Sequence, residues 1–144
     1  MQILCTIKMP ATRENFPALM QAVADCARSQ GISSEKLYGI ELATEEALVN
    51  IFNYAYQGAH GEVEIVCMRD DGGKFVMDII DSGAPFDLLS VKDPDVTAGI
   101  AERPIGGLGI YFIKKFTDDV CYRREGGKNI LRLTVVAGNN PGLR

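Results

Sequence analysis

Glu41-Leu-Ala-Thr-Glu-Glu-Ala-Leu-Val-Asn50-Ile-Phe-Asn-Tyr-Ala-Tyr56 is the stretch whose reading decides the fold. Leu37, Ile40, Ala47, Leu48, Ile51 and Ala55 recur at helical spacing, so the stretch reads as the second half of a long helix. Glu46 and Asn50, four apart, stand one above the other on that helix. At about 100° per residue, Asn53 falls on the same strip, beside the apolar stripe. A carboxylate and an amide at the rim of a core face are placed to line a cleft and hold a hydrated cation or a water.

Outward from this helix the chain is punctuated clearly. Ser33 and Ser34 cap the long helix, and Glu35 favours its dipole. Before it, a helix is expected from Asn15 or Phe16 to Ser29, with Pro17 in its first turn and Gly31 as its stop. Gln2 to Lys8 alternates and reads as a first strand, closed by Pro10. After Gly58 the period becomes alternating. Glu62–Met68 and Lys74–Ile80 form a hairpin around Arg69-Asp-Asp-Gly-Gly73. Asp81 to Ile105 has no periodic pattern and is too long for a mere link, which marks a functional loop. Gly106-Gly-Leu-Gly109 opens a short helix to Phe116, and Val120–Arg124 and Asn129–Val136 make a last hairpin. The expectation is one domain over residues 1–136 with a frayed tail at 137–144. Its order, β-α-α-β-β-α-β-β, favours an α/β (α+β two-layer) sandwich: a mixed, largely antiparallel sheet with helices on one face.

Composition narrows the function classes. With 47% apolar and 24% charged residues, the 144-residue chain is an ordinary globular domain. A net charge of −4 and a pI of about 5.0 argue against nucleic-acid or anionic-membrane partners. No apolar run approaches the roughly 20 residues of a membrane span, and Met1 to Lys8 lacks the order of a signal peptide. A cytoplasmic location is expected. Cys5, Cys26, Cys67 and Cys121 are scattered in sequence and are expected as free thiols. His60 is the one histidine, and it sits in a turn. One histidine rules out a His-based zinc site and argues against Ser-His or Cys-His catalysis, so chemistry falls to carboxylates, amides and backbone groups.

Three signals lie on consecutive joints: Glu46-x-x-x-Asn50 on the helix, Asp81-Ser-Gly83-Ala-Pro-Phe-Asp87 after a buried strand, and Gly106-Gly-Leu-Gly109 at a helix start. Each alone has an ordinary explanation as a surface pair, a turn or a glycine-rich loop. Together they describe one object. A glycine-rich helix start offers unpaired N–H groups and a positive dipole end to a polyphosphate. Asn50 offers an amide oxygen to Mg²⁺, and Glu46 can take a proton from a nucleophile. Asp81 can accept an exocyclic N–H of a purine, with Gly83 letting the backbone lie against the ring.

These segments are similar to the signature boxes of the anti-sigma-factor serine kinases, a branch of the GHKL (histidine-kinase-like) ATPase superfamily. Glu46 to Tyr56 resembles the N box, Asp81 to Asp87 the adenine-binding box, and Arg103 to Ile113 the glycine box, in order along nearly the whole chain. The resemblance implies an ATP·Mg²⁺ site: Glu46 as general base, Asn50 as Mg²⁺ ligand, Asp81, Gly83 and Ala84 around adenine, and Gly106, Gly107, Leu108 and Gly109 at the phosphates. It also implies a lid at about 88–105, phosphate transfer to a serine or threonine of an antagonist (anti-anti-sigma) protein, sequestration of a sigma factor, and a homodimer.

Some positions depart from relatives. Asn53 stands where histidine kinases carry a basic residue, which together with the chain's length argues against that class. Many relatives place Thr opposite the adenine-binding Asp, where Gly127-Lys-Asn129 offers an amide. Asn129 is thus a site candidate by resemblance, and an ordinary strand-edge polar residue by itself. Arg103 could reach the phosphates from the lid or be a solvated charge. The kinase is the leading reading. A nucleotide-responsive module that sequesters a partner without transfer is the alternative, and an ATPase subunit of a larger machine comes last.

Overall fold

The computed structural model describes residues 1–57, 59–90 and 107–137. Five strands form one sheet: β1 (Gln2–Pro10), β2 (Glu62–Arg69), β3 (Phe75–Asp81), β4 (Asp119–Glu125) and β5 (Lys128–Val135), in the spatial order β1-β2-β3-β5-β4. Every pairing is antiparallel, so the parallel component allowed for in the sequence is absent among the described strands. Three helices cover one face: α1 (Phe16–Ser29), α2 (Ser34–Asn50) and α3 (Gly107–Phe116).

Alternation decides which side chains meet the helices, because successive residues of a strand face opposite ways. Ile7, Ile65, Ile79 and Leu131 are paired across four strands, and Val63, Phe75, Met77, Leu133 and Val135 share their face. Leu19 and Val23 of α1, Ile40 and Leu48 of α2, and Ile113 of α3 close over them, all essentially without solvent exposure. Each such side chain contributes roughly 1.5–3 kcal/mol by leaving water. This layer holds the elements that carry the site.

Local signals set the helices as expected. Ser33 caps α2, its hydroxyl accepting from the Lys36 N–H at 3.3 Å. α3 packs along α2, and a Cβ on Gly39 would lie 2.5 Å from the Phe116 side chain, so glycine is what lets the two helices approach. Just past α3, the Asp118 carboxylate lies 3.9 Å from Lys36 Nζ in the first turn of α2. The end of α3 therefore sits at the start of α2. Among the described residues no helix is long and apolar enough to cross a membrane.

One expectation needs correction. The long helix is not α-helical to Tyr56: α2 ends at Asn50 and a π turn follows over Ile51–Ala55, closed by the Tyr56 N–H donating to Ile51 O at 3.1 Å. Asn53 lies in that wider turn, so the 100° spacing that put it on the strip of Glu46 and Asn50 does not apply there. All four cysteines are free thiols, as expected, and three of them gather in space. The Sγ atoms of Cys5, Cys26 and Cys67 lie within 4.8 Å of one another, because β1 and β2 pair Cys5 with Cys67 under α1. Residues 91–106 and 138–144 lie outside the described residues. With them go most of the proposed lid, Arg103, Gly106 and the tail.

Candidate functional site

Asp81 is the last residue of β3, and its parity puts it on the helix-covered face. The register makes one row across the sheet: Met9, Val63, Asp81, Asn129 and Arg124. Asp81 is therefore a carboxylate in a wall of apolar residues, 4% exposed. Burial raises its pKa, opposed by hydrogen bonds from Asn129 and Gly83 and by the charge of Arg124. Its described hydrogen bonds fall on Oδ1, from Asn129 Nδ2 at 2.9 Å and the Gly83 N–H at 2.9 Å. Among the described residues Oδ2 carries none.

Asn129 holds this arrangement together. Its Nδ2 donates to Asp81 Oδ1 and, at 2.8 Å, to Ala84 O. Its Oδ1 accepts from the Tyr122 hydroxyl at 2.6 Å, from Arg124 Nη1 at 3.2 Å and from the Phe86 N–H at 3.2 Å. Two donors and an acceptor oxygen are all engaged, which is full use of an amide. The reading of Asn129 as an ordinary strand-edge residue is thus corrected: it is 4% exposed, on a strand flanked on both sides. Arg124 Nη1 also donates to Gly83 O at 2.8 Å, tying β4 to the loop after β3.

That loop is pressed against the π turn. The Ala84 N–H donates to Ala55 O at 2.8 Å, and a Cβ on Gly83 would lie 2.5 Å from the same oxygen. The need for glycine at 83 is thus already set by helix-to-loop contact. Further along, the Phe86 ring stacks on Tyr54, centroids 5.1 Å apart and planes 19° from parallel.

A pocket opens between these parts. Its walls are Ala47, Asn50 and Ile51 on the helix side, Ile79 and Asp81 on β3, Phe86 and Leu88 on the loop, and Tyr122, Asn129 and Leu131 on the last hairpin. Two of the boxes read from the sequence, 46–56 and 81–87, thus meet in one apolar cavity with a carboxylate in its wall. Its free space is about 20 Å³, room for about one water. A purine occupies more than this free space.

Asn50 is 3% exposed, and its Nδ2 donates to Glu46 O at 2.7 Å. With the amide nitrogen committed to the helix, Oδ1 is the atom it would offer a cation, and an oxygen suits Mg²⁺. Glu46 lies one turn back, outside the ring of pocket-lining residues. Burial first, and the neighbouring Glu45 second, raise its pKa above the ordinary glutamate value, which strengthens it as a base. Asn53 is half-buried in the π turn. Gly107 begins α3, with Leu108 and Gly109 in its first turn. The donor chemistry on this helix, an amide oxygen and a carboxylate, is of the kind that Mg²⁺ takes.

Arg124, Tyr122, Phe86 and Tyr54 were not singled out in the sequence. Val120, Tyr122 and Arg124 share the parity of the inner face, a signal readable only once β4 is known to flank β5. Tyr54 and Phe86 lay inside the quoted boxes, where aromatic side chains pass as core.

The chain resembles known proteins over most of its length. Residues 9–135 match the family model of the histidine kinase-like ATPase domain. A serine-protein kinase RsbW of Bacillus thuringiensis (strain Al Hakam) is 27% identical over 129 residues, 87% of this chain and 80% of the relative. Its counterpart in Bacillus cereus (strain G9842) is 28% identical over the same shares. Among solved structures, the SiaB-SiaC complex from Pseudomonas aeruginosa superposes with a TM-score of 0.63 at 17% identity, over 93% of this chain and 90% of that one. The histidine kinase domain of Erythrobacter litoralis EL346 gives 0.53 at 16%, over 85% and 65%. These two likenesses concern the fold. With the family model spanning nearly all of a chain whose first two boxes meet in one pocket, the protein belongs to the histidine kinase-like ATPase domain family.

Proposed function

We propose that the chain is an ATP-dependent serine/threonine protein kinase that also acts as an anti-sigma factor. In this reading it phosphorylates an antagonist protein and sequesters a sigma factor, working as a cytoplasmic homodimer. The relatives named serine-protein kinase support this reading. The observation that carries it is the buried Asp81, held on Oδ1 by Asn129 and Gly83 in the wall of an apolar pocket that Asn50 also lines.

Bound ATP with Mg²⁺ supplies the phosphoryl group and the divalent charge that offsets the phosphates. The chain's own residues bind and orient. Asp81 Oδ2 accepts from a base-edge amine, and Asn129 and Arg124 keep that carboxylate in place. The apolar walls from Ala47, Ile51, Ile79 and Leu131 exclude water around the base. Asn50 Oδ1 is the Mg²⁺ ligand, and the first N–H groups of α3, at Gly107, Leu108 and Gly109, face anionic groups. Gly106 and Arg103, with the lid at about 88–105, and Asn53 belong to the same proposal as phosphate contacts. Glu46 receives the proton of the attacking serine or threonine hydroxyl. Catalysis of this kind rests on positioning and charge stabilisation.

Phosphate transfer from labelled ATP to a candidate antagonist, comparing the wild type with Glu46→Gln, tests the reading. General-base loss costs about 10²–10⁴-fold in rate, so Glu46→Gln should bind ATP·Mg²⁺ with unchanged affinity and transfer at least a hundredfold more slowly. Full transfer by Glu46→Gln would remove the base role. ATP binding without transfer by the wild type would leave the partner-sequestering module.

A further inference from the structure

The thiol cluster lies away from the nucleotide pocket and plays no part in the chemistry described above. Cys5 and Cys67 are directly opposed on β1 and β2, and Cys26 comes down on them from α1. All three sulfurs lie within 4.8 Å of one another. Cys67 is fully buried and Cys26 nearly so, whereas Cys5 is half-buried and gives a way in from solvent. The β1–β2 register shifts between Ile3 and Cys5, which skips Leu4 and leaves Cys5 opposite Cys67. Three sulfurs from three elements around one point make a trigonal donor set. At the metal–sulfur distance of about 2.3 Å seen in thiolate sites, such a set draws its sulfurs to roughly 4 Å apart or closer. The 4.8 Å within which all three sulfurs lie is wider than that by about an ångström.

Charge selects among the thiophilic ions. Burial, and then the neighbouring Cys5 thiol, push Cys26 up to about 11, and burial raises Cys67 further. The charges and hydrogen bonds acting on these two thiols come from the cluster itself. With Cys26 and Cys67 buried, the cluster is a place where net charge is costly. Copper(I) bound by three thiolates would leave two negative charges there, and zinc(II) one. A trivalent centre leaves none.

We propose that Cys5, Cys26 and Cys67 form a binding site for a trivalent thiophilic ion, with arsenic(III) as the probe. The step balances without a redox partner. Arsenous acid meets three thiols, three As–O bonds break and three As–S bonds form. The three thiol protons leave with the three hydroxides as water, and arsenic stays trivalent. A neutral reagent becomes a neutral site that staples α1 to the β1–β2 edge.

The test uses the full chain, reduced and free of oxygen, with arsenite, zinc(II) and copper(I) as separate probes. Native mass spectrometry should find one arsenic per chain with the loss of three hydrogens. Alkylation of the arsenic-loaded wild type should then modify Cys121, which is exposed, and spare the other three. Cys26→Ser should weaken arsenite binding at least tenfold, and Cys121→Ser should bind like the wild type. Failure to take up arsenite overturns the proposal, as does protection of Cys121 or wild-type affinity in Cys26→Ser. Tighter retention of zinc or copper than of arsenic overturns it too. Because thiol protection is read on the wild type, the result stands even if a variant folds poorly.

Discussion

Asn129 sets how Asp81 is presented. Its amide makes five hydrogen bonds to Asp81, Ala84, Phe86, Tyr122 and Arg124, so truncation strands several buried groups at once. Leaving a buried polar group unpaired costs about 1–3 kcal/mol. Asn129→Ala is expected to lower the urea midpoint by a stability loss in that range and to weaken ATP binding in calorimetry. An unchanged midpoint and unchanged affinity would show that the hub carries no weight. Asp81 and Asn50 were legible because each stands at a recognisable joint of local structure. Asn129 was legible only as a candidate, since its burial follows from a strand partner 48 residues away. Arg124 was not legible, because nothing near it in sequence distinguishes it from Arg123 beside it.

At the scale of elements, the junction of the π turn with the loop after β3 brings two sequence boxes together. The bond from the Ala84 N–H to Ala55 O needs the two backbones in contact, and only a residue without Cβ permits it at 83. Gly83→Ala should force the loop outward at a cost of about 1–3 kcal/mol, typical of overpacking. Hydrogen exchange at the Ala84 amide reads this directly: protection should fall in the variant while amides of the β1–β2 ladder keep theirs. Retained protection at Ala84 would mean that the contact yields more easily than its geometry implies. Strands and caps were readable in sequence because alternation, Ser33 and Pro17 act over a few residues. The π turn was not, since nothing in Ile51-Phe-Asn-Tyr-Ala55 departs from helical periodicity. It becomes intelligible beside its neighbour, where Ala55 O meets a donor from another element.

For the whole molecule, the site has a signature in stability against pH. Burial raises the pKa of Asp81 and of Glu46. Between the ordinary carboxylate values and these raised ones, the folded chain binds more protons than the unfolded chain. Stability therefore falls as pH climbs through that window and is flat above it, as far as these two groups decide. Asp81→Asn removes one of them. The difference in urea midpoint between variant and wild type should widen in the variant's favour as pH rises from about 4, then level off. A difference independent of pH would mean that Asp81 ionises as freely as in solution. The thiol cluster belongs to this scale as well, because only the assembly of β1, β2 and α1 gathers residues spread across 62 positions of sequence.

One row of residues, Met9, Val63, Asp81, Asn129 and Arg124, runs through all five strands. A strand shifted by one residue presents its opposite face, and one shifted by two keeps its face but parts the carboxylate from its amide. The pocket thus works as a proofreading mark for the sheet. A ligand that grips it adds its binding energy to the one alignment able to receive it, and gives nothing to the near misses that share the same hydrophobic alternation.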